Sequence, residues 1–149
     1  MEKKKLGDIL SGMLLPIGFK KKGNYWVING NEITKMVNLQ KSQYSNSFYI
    51  NYGYIIKAIS LDNQMMHVYN RVSSLDVNER NLIKALLDLD SDISDEKRET
   101  ELKQILNSNL ISKMQLINTE KDLLNELKQR SQLNDIPSTV LEYLNLERP

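Results

Sequence analysis

At 149 residues the chain has the length of a single domain, and its 40% hydrophobic and 26% charged residues, with three Pro and six Gly, mark it as globular rather than disordered. Zero cysteines exclude disulfides, thiolate metal sites and thiol catalysis, and they fit a reducing compartment, so a cytoplasmic protein is expected. The net charge of +1 hides a division: residues 1–57 carry nine Lys against three acids, while residues 58–149 carry eleven Lys plus Arg against sixteen acids.

In chain order, the basic start MEKKK and the apolar Ile9 to Phe19 invite a targeting reading. Asp8, Pro16, the lysines at 20–22 and the lack of a small-x-small cleavage site argue against it. No apolar run reaches the ~18 residues of a membrane span. Leu6, Ile9, Leu10, Met13 and Leu14 follow helical spacing, which predicts an amphipathic helix over 3–15, stopped by Pro16 and Gly18. Strands are predicted at 19–22, 25–28, 32–41 and 47–56, where β-branched and aromatic residues alternate with polar ones. Asn29-Gly30 predicts a tight primed hairpin turn, because both residues tolerate positive φ.

Centring the next turn between Tyr44 and Ser45 sets Leu39 opposite Ile50 and Val37 opposite Tyr52 on an apolar face. Asn38 then lies opposite Asn51, and Gln40 opposite Tyr49, on the other. HVYNRV at 67–72 reads as a further strand, and Leu82 to Leu89 reads equally as a strand or a short helix. Ser94 caps a helix carrying Leu102, Ile105 and Leu106, which Asn107 to Asn109 break or end. Thr119 and Asp122 form a near capping box for a helix reaching about Arg130, and Asp135 starts a last short helix with Val140, Leu141 and Leu144. One α+β domain over 1–149 follows: an N-terminal helix, an antiparallel sheet of four to six strands, and C-terminal helices on one face.

Catalytic signals are absent. His67 is the single histidine and no Ser-nucleophile, dinucleotide or phosphate-loop motif occurs, so no catalytic residue, cofactor or metal is expected. Asp88, Asp90 and Asp92 alternate as in a calcium loop, but Ile93 and Glu99 stand where such a loop needs Gly and Glu, which favours a solvated helix entry. Lys20, Lys21 and Lys22 beside Tyr25 and Trp26 mix cations with rings, as single-stranded nucleic-acid binders do, in a chain too nearly neutral to favour that partner. The strongest constellation is polar. Asn38, Gln40, Lys41, Ser42 and Asn51, with His67 and Arg71, gather residue types depleted from strands and form a candidate binding face.

At GFKKKGNYW, VNLQKSQY and FYINYG the sequence resembles the bacterial family of domain of unknown function 4304, most specifically from about Leu6 to Ile56. The resemblance implies a small cytoplasmic bacterial α+β domain and transfers no activity. It marks Asn38, Leu39, Gln40, Lys41, Ser42 and Asn51 as motif members only. The expected function is a non-enzymatic protein-interaction module, of the kind that neutralises bacterial toxins. Its alternatives are a small-ligand binder or enzyme on the polar sheet face, a weak nucleic-acid binder, and self-association of the basic and acidic halves.

Overall fold

The computed structural model describes residues 1–147. Helix α1 (Lys3–Leu14) runs into a 3-10 turn at Leu15–Ile17, and Gly18 ends it. Five strands follow, β1 (Lys20–Lys22), β2 (Tyr25–Asn29), β3 (Ile33–Lys41), β4 (Phe48–Ile56) and β5 (Val68–Arg71), paired antiparallel in sequence order. The helices α2 (Val77–Leu87), α3 (Asp95–Leu106), α4 (Ser112–Gln115), α5 (Glu120–Lys128) and α6 (Ser138–Tyr143) complete the described chain. Among the described residues no helix is long and apolar enough to cross a membrane.

Strand alternation decides which side is core. Val37, Leu39, Ile50 and Tyr52 point to one face and are buried, joined from the helices by Leu6, Leu10, Leu86, Leu102 and Leu127. Contacts place the helical layer on that face: the Trp26 indole N–H donates to Ser11 Oγ of α1 at 3.0 Å, and Lys35 Nζ donates to the Met114 carbonyl of α4 at 2.7 Å. The β3–β4 register is the one the alternation predicts, Leu39 opposite Ile50 and Asn38 opposite Asn51.

Local chemistry departs from expectation at four places. Neither Asn29 nor Gly30 has positive φ, so the β2–β3 connection is not a primed turn. Asn29 is the last residue of β2, paired with Thr34, and Gly30 is required because a Cβ there would stand 2.7 Å from the Ile33 carbonyl oxygen. The positive φ falls instead at Gly23, +61°, which leads the two-residue turn between β1 and β2. The 82–89 segment takes the helical alternative as far as Leu87, with Asp88 extended, and the helix begins earlier, at Val77, because the Asp76 carboxylate accepts the Glu79 N–H at 2.9 Å and caps it. Asn107 to Asn109 neither break nor end α3: the helix widens into a π turn at Asn107–Ile111 and continues as α4. The last helix starts at Ser138 behind Pro137, with no side-chain cap from Asp135. The capping box at Thr119 and Asp122 is formed as predicted.

Arg98 ties the α2–α3 corner. Fully buried, it donates through Nη1 to the carbonyls of Ala85, Leu86 and Asp88, and through Nη2 to Ser91 and the Ile93 carbonyl. These acceptors include carbonyls at the C-terminus of α2, where the helix dipole is negative, so a buried cation is compensated without a carboxylate. The Asp88 to Asp92 stretch is therefore the loop wrapped around this guanidinium, with Asp88 Oδ1 accepting the Asp90 N–H at 3.0 Å. Replacing Arg98 with Met strands the Leu86 carbonyl, removes five further hydrogen bonds and is expected to cost about 3–5 kcal/mol of stability. Chemical denaturation followed by circular dichroism measures this, and a loss below 1 kcal/mol would show that water replaces the guanidinium.

Candidate functional site

The second face of the sheet carries no helix. Alternation brings Lys20, Lys22, Tyr25, Asn38, Gln40 and Asn51 to it, together with Tyr49, Tyr69 and Arg71. At its centre, Asn51 is fully buried, donating through Nδ2 to Gln40 Oε1 at 2.8 Å and to Asn38 Oδ1 at 3.2 Å. Asn51 Oδ1 accepts Arg71 Nε at 3.0 Å, and Arg71 Nη2 reaches Gln40 Oε1 at 3.3 Å. Asn38 Nδ2 in turn donates to the Asn24 carbonyl at 3.3 Å, which links the row to the β1–β2 turn. The Arg71 guanidinium lies 4.0 Å from the centroid of the Tyr49 ring. A chain of amides thus holds one cation flat on one ring.

The remaining candidates lie elsewhere. Lys41 belongs by alternation with Val37 and Leu39, at the end of the helix-covered face. Ser42 closes the β3–β4 turn, its N–H donating to the Ser47 carbonyl at 2.8 Å and its Oγ accepting the Tyr44 N–H. His67 is buried below β5; Nδ1 accepts the Ile56 N–H at 2.8 Å, so the ring proton sits on Nε2 and goes to the Ser60 carbonyl at 2.8 Å. Both ring nitrogens are thereby occupied in holding the 57–67 loop. The basic step is divided: Lys20 and Lys22 face the open side, while Lys21 faces the other and stands 5.5 Å from the centroid of the buried Trp26 ring. A ring 1% exposed offers no stacking surface to a base, so Trp26 is core.

Sequence reasoning left Tyr25, Tyr49 and Tyr69 out of the site. The signal was the register itself, since any residue paired with Asn38, Gln40 or Gly53 shares their face.

On the helical side a groove of about 540 Å³ separates the β4–β5 edge from α4 and α5. Tyr52 and Tyr54 form its floor, and Glu126 and Arg130 its wall, with Arg130 Nε 3.3 Å from Glu126 Oε1 and Nη2 2.8 Å from Asn70 Oδ1. Burial pushes both tyrosine hydroxyls above the ordinary value, Tyr54 the further. The Glu126 carboxylate adds to that shift, and Arg130 partly offsets it. On the same face burial pushes the Lys35 ammonium down, against the pull of Asp122.

A five-stranded antiparallel sheet with helices on one face and an amide-bridged row on the other defines an α+β domain. The chain belongs to the family of domain of unknown function (DUF4304), whose model matches residues 10–117. The match takes in the whole sheet and α2 to α4, and it ends before α5 and α6. No curated protein and no solved structure matches the chain.

Two outcomes test this geometry. Asn51→Ala removes the hub and leaves Arg71 Nε unpaired, and is expected to cost about 1–3 kcal/mol; Gln40→Ala, at the exposed rim, is expected to cost under about 1 kcal/mol. Urea titrations of the two variants, read against the unsubstituted chain, check that ordering. The second concerns alkali. Folded Tyr52 and Tyr54 ionise above the ordinary 10.0, so their contribution is complete below that pH and is lost as the pH climbs past it, when only the unfolded phenols ionise. Stability is expected to fall above about pH 10, and the double variant Tyr52→Phe/Tyr54→Phe to flatten that fall, as thermal melts between pH 8 and 11 will show.

Proposed function

We propose that the chain is a recognition module that binds an acidic protein surface through the helix-free face of its sheet. The observation that carries this reading is the composition of that face: Lys20, Lys22 and Arg71 project from its strands with no acidic residue among them. Tyr25 and Tyr49 are half-buried and Tyr69 is exposed, and Arg and Tyr are the side chains that anchor interfaces. Stacking on Tyr49 and bonding to Asn51 fix Arg71 before any partner arrives, which lowers the entropy cost of binding.

Recognition is favoured over catalysis because the polar row spends its hydrogen bonds internally and the one imidazole is closed at both nitrogens. Protein is favoured over single-stranded nucleic acid because Arg71 already covers one face of Tyr49 and Trp26 is buried. Toxin neutralisation is one form such recognition of a protein takes. A cytoplasmic bacterial setting suits the cysteine-free composition.

The test is charge reversal on the two faces. Lys20→Glu/Lys22→Glu is expected to weaken capture of an acidic protein partner by about tenfold at moderate salt, while Lys121→Glu/Lys128→Glu on α5 leaves it unchanged. Quantitative capture from native lysate, with and without nuclease, reads the difference. Equal losses from both variants, or capture that nuclease abolishes, would overturn the reading.

A further inference from the structure

A second cleft, of about 430 Å³, opens where β5 ends, between α2 and the β3–β4 turn. We propose that it binds a small organic phosphate ester. Three cations line it, Arg71 from the sheet and Arg80 and Lys84 from α2. Among the described residues no carboxylate pairs with any of the three, although Arg71 is held by Asn51, Gln40 and the Tyr49 ring. Among the described residues Lys84 Nζ has no hydrogen bond or ion pair, Arg71 Nη1 is unused, and Arg80 makes one long contact, 3.5 Å to the Ser74 carbonyl.

The acid of the cleft, Asp88, accepts the Asp90 N–H through Oδ1 and forms no salt bridge with Lys84 one helical turn away. Three hydroxyls on the rim, of Ser45, Ser47 and Ser73, donate to no protein group among the described residues. Cations on one side and unspent hydroxyls on the other suit a doubly charged, oxygen-rich group, because a phosphoryl dianion accepts from guanidinium, ammonium and hydroxyl at once.

The floor supplies the second half of the specificity. Tyr49 and Ala85, both half-buried, line the cleft above the buried Phe48, Ile83 and Leu87, so it contains apolar surface that an inorganic anion leaves unfilled. An ester with an apolar or aromatic body fills both parts, and the volume falls within the few hundred Å³ common to small-ligand sites. Position on the chain also matters. The turn is held to the end of α2 by Leu89 N–H donating to the Asn46 carbonyl at 3.0 Å and by the Ser47–Asp88 bridge, so the two walls are fixed relative to each other.

Titration of the full chain with phenyl phosphate and with inorganic phosphate, followed by NMR at moderate salt, tests the assignment. Phenyl phosphate is expected to saturate one site, and inorganic phosphate to bind about tenfold more weakly because it leaves the apolar floor bare. Arg80→Gln/Lys84→Gln is expected to weaken phenyl phosphate at least about tenfold. If that double variant is unstable, Lys84→Gln alone, which removes an unpartnered group, is expected to weaken it at least about threefold. Absence of saturable binding, equal affinity for the two probes, or unchanged affinity in the folded variants would each overturn the proposal. Lys20→Glu/Lys22→Glu, on the far edge of the sheet, leaves this site intact, so the cleft and the sheet-face reading fail independently.

Discussion

One buried guanidinium holds the helical layer in place. Arg98 reaches across from the first turns of α3 to the last carbonyls of α2, and the loop between the two helices folds around it. Without it the Leu86 carbonyl would be left dry, at the corner where α2 packs behind the β3–β4 turn. The turn, the end of β4 and the exit of β5 all depend on where that corner lies. A charge serves here better than an apolar residue because the acceptors are dipoles of fixed direction, and the Nη protons of a rigid fork satisfy several at once.

Helices confined to one face leave the sheet with two different chemistries. The covered face is aliphatic and aromatic and accounts for most of the core, whereas the open face sets amides, tyrosines and cations beside the half-buried Val27, Met36 and Ile55. Asn51 is the extreme case, a strand residue with no exposure that nonetheless belongs to the open side. Its burial comes from its neighbours on the same face, since Asn38, Gln40 and Arg71 close over it. A buried amide of this kind is tolerated because its oxygen and both of its amide protons find partners, which is the condition under which polar burial costs little.

Much of this was legible from alternation alone. Once one apolar pair, Leu39 with Ile50, was set in register, every other pair on β3 and β4 followed, and so did the meeting of Asn38 with Asn51. The membership of the site was less legible, because adjacency in sequence was mistaken for adjacency in space: Lys41 and Ser42 follow Gln40 directly, yet one points to the opposite face and the other closes a turn. His67 failed for another reason. Its partners, the Ile56 N–H and the Ser60 carbonyl, are backbone groups, and no pattern of residue types announces them. Arg98 was readable in principle, since it occupies the helical stripe continued by Leu102, Ile105 and Leu106, and a charge on such a stripe needs an internal partner.

The charge division of the sequence takes on meaning through this layering. The lysine-rich half supplies β1 to β4 and the acid-rich half supplies β5 and most of the helices; Lys20 and Lys22 face the open side of the sheet, joined there by Arg71 of β5, while Lys21, Lys35 and Lys41 face the helices. Ion pairs do little to erase it. Among the described residues, Lys103 with Glu99 and Arg130 with Glu126 join neighbours on a single helix, and Asp95 pairs only with the N-terminus and Lys5 of α1. Among the described residues no carboxylate pairs with Lys20, Lys22 or Arg71, so the cationic field of the open face persists. An approaching acidic surface therefore meets attraction there. Such a field orients encounter before contact is made, and it weakens as salt shortens its reach to about 8 Å at physiological ionic strength. Segregated charge thus fixes which side of the molecule meets a partner, while the amide-held Arg71 supplies a rigid contact once it has arrived.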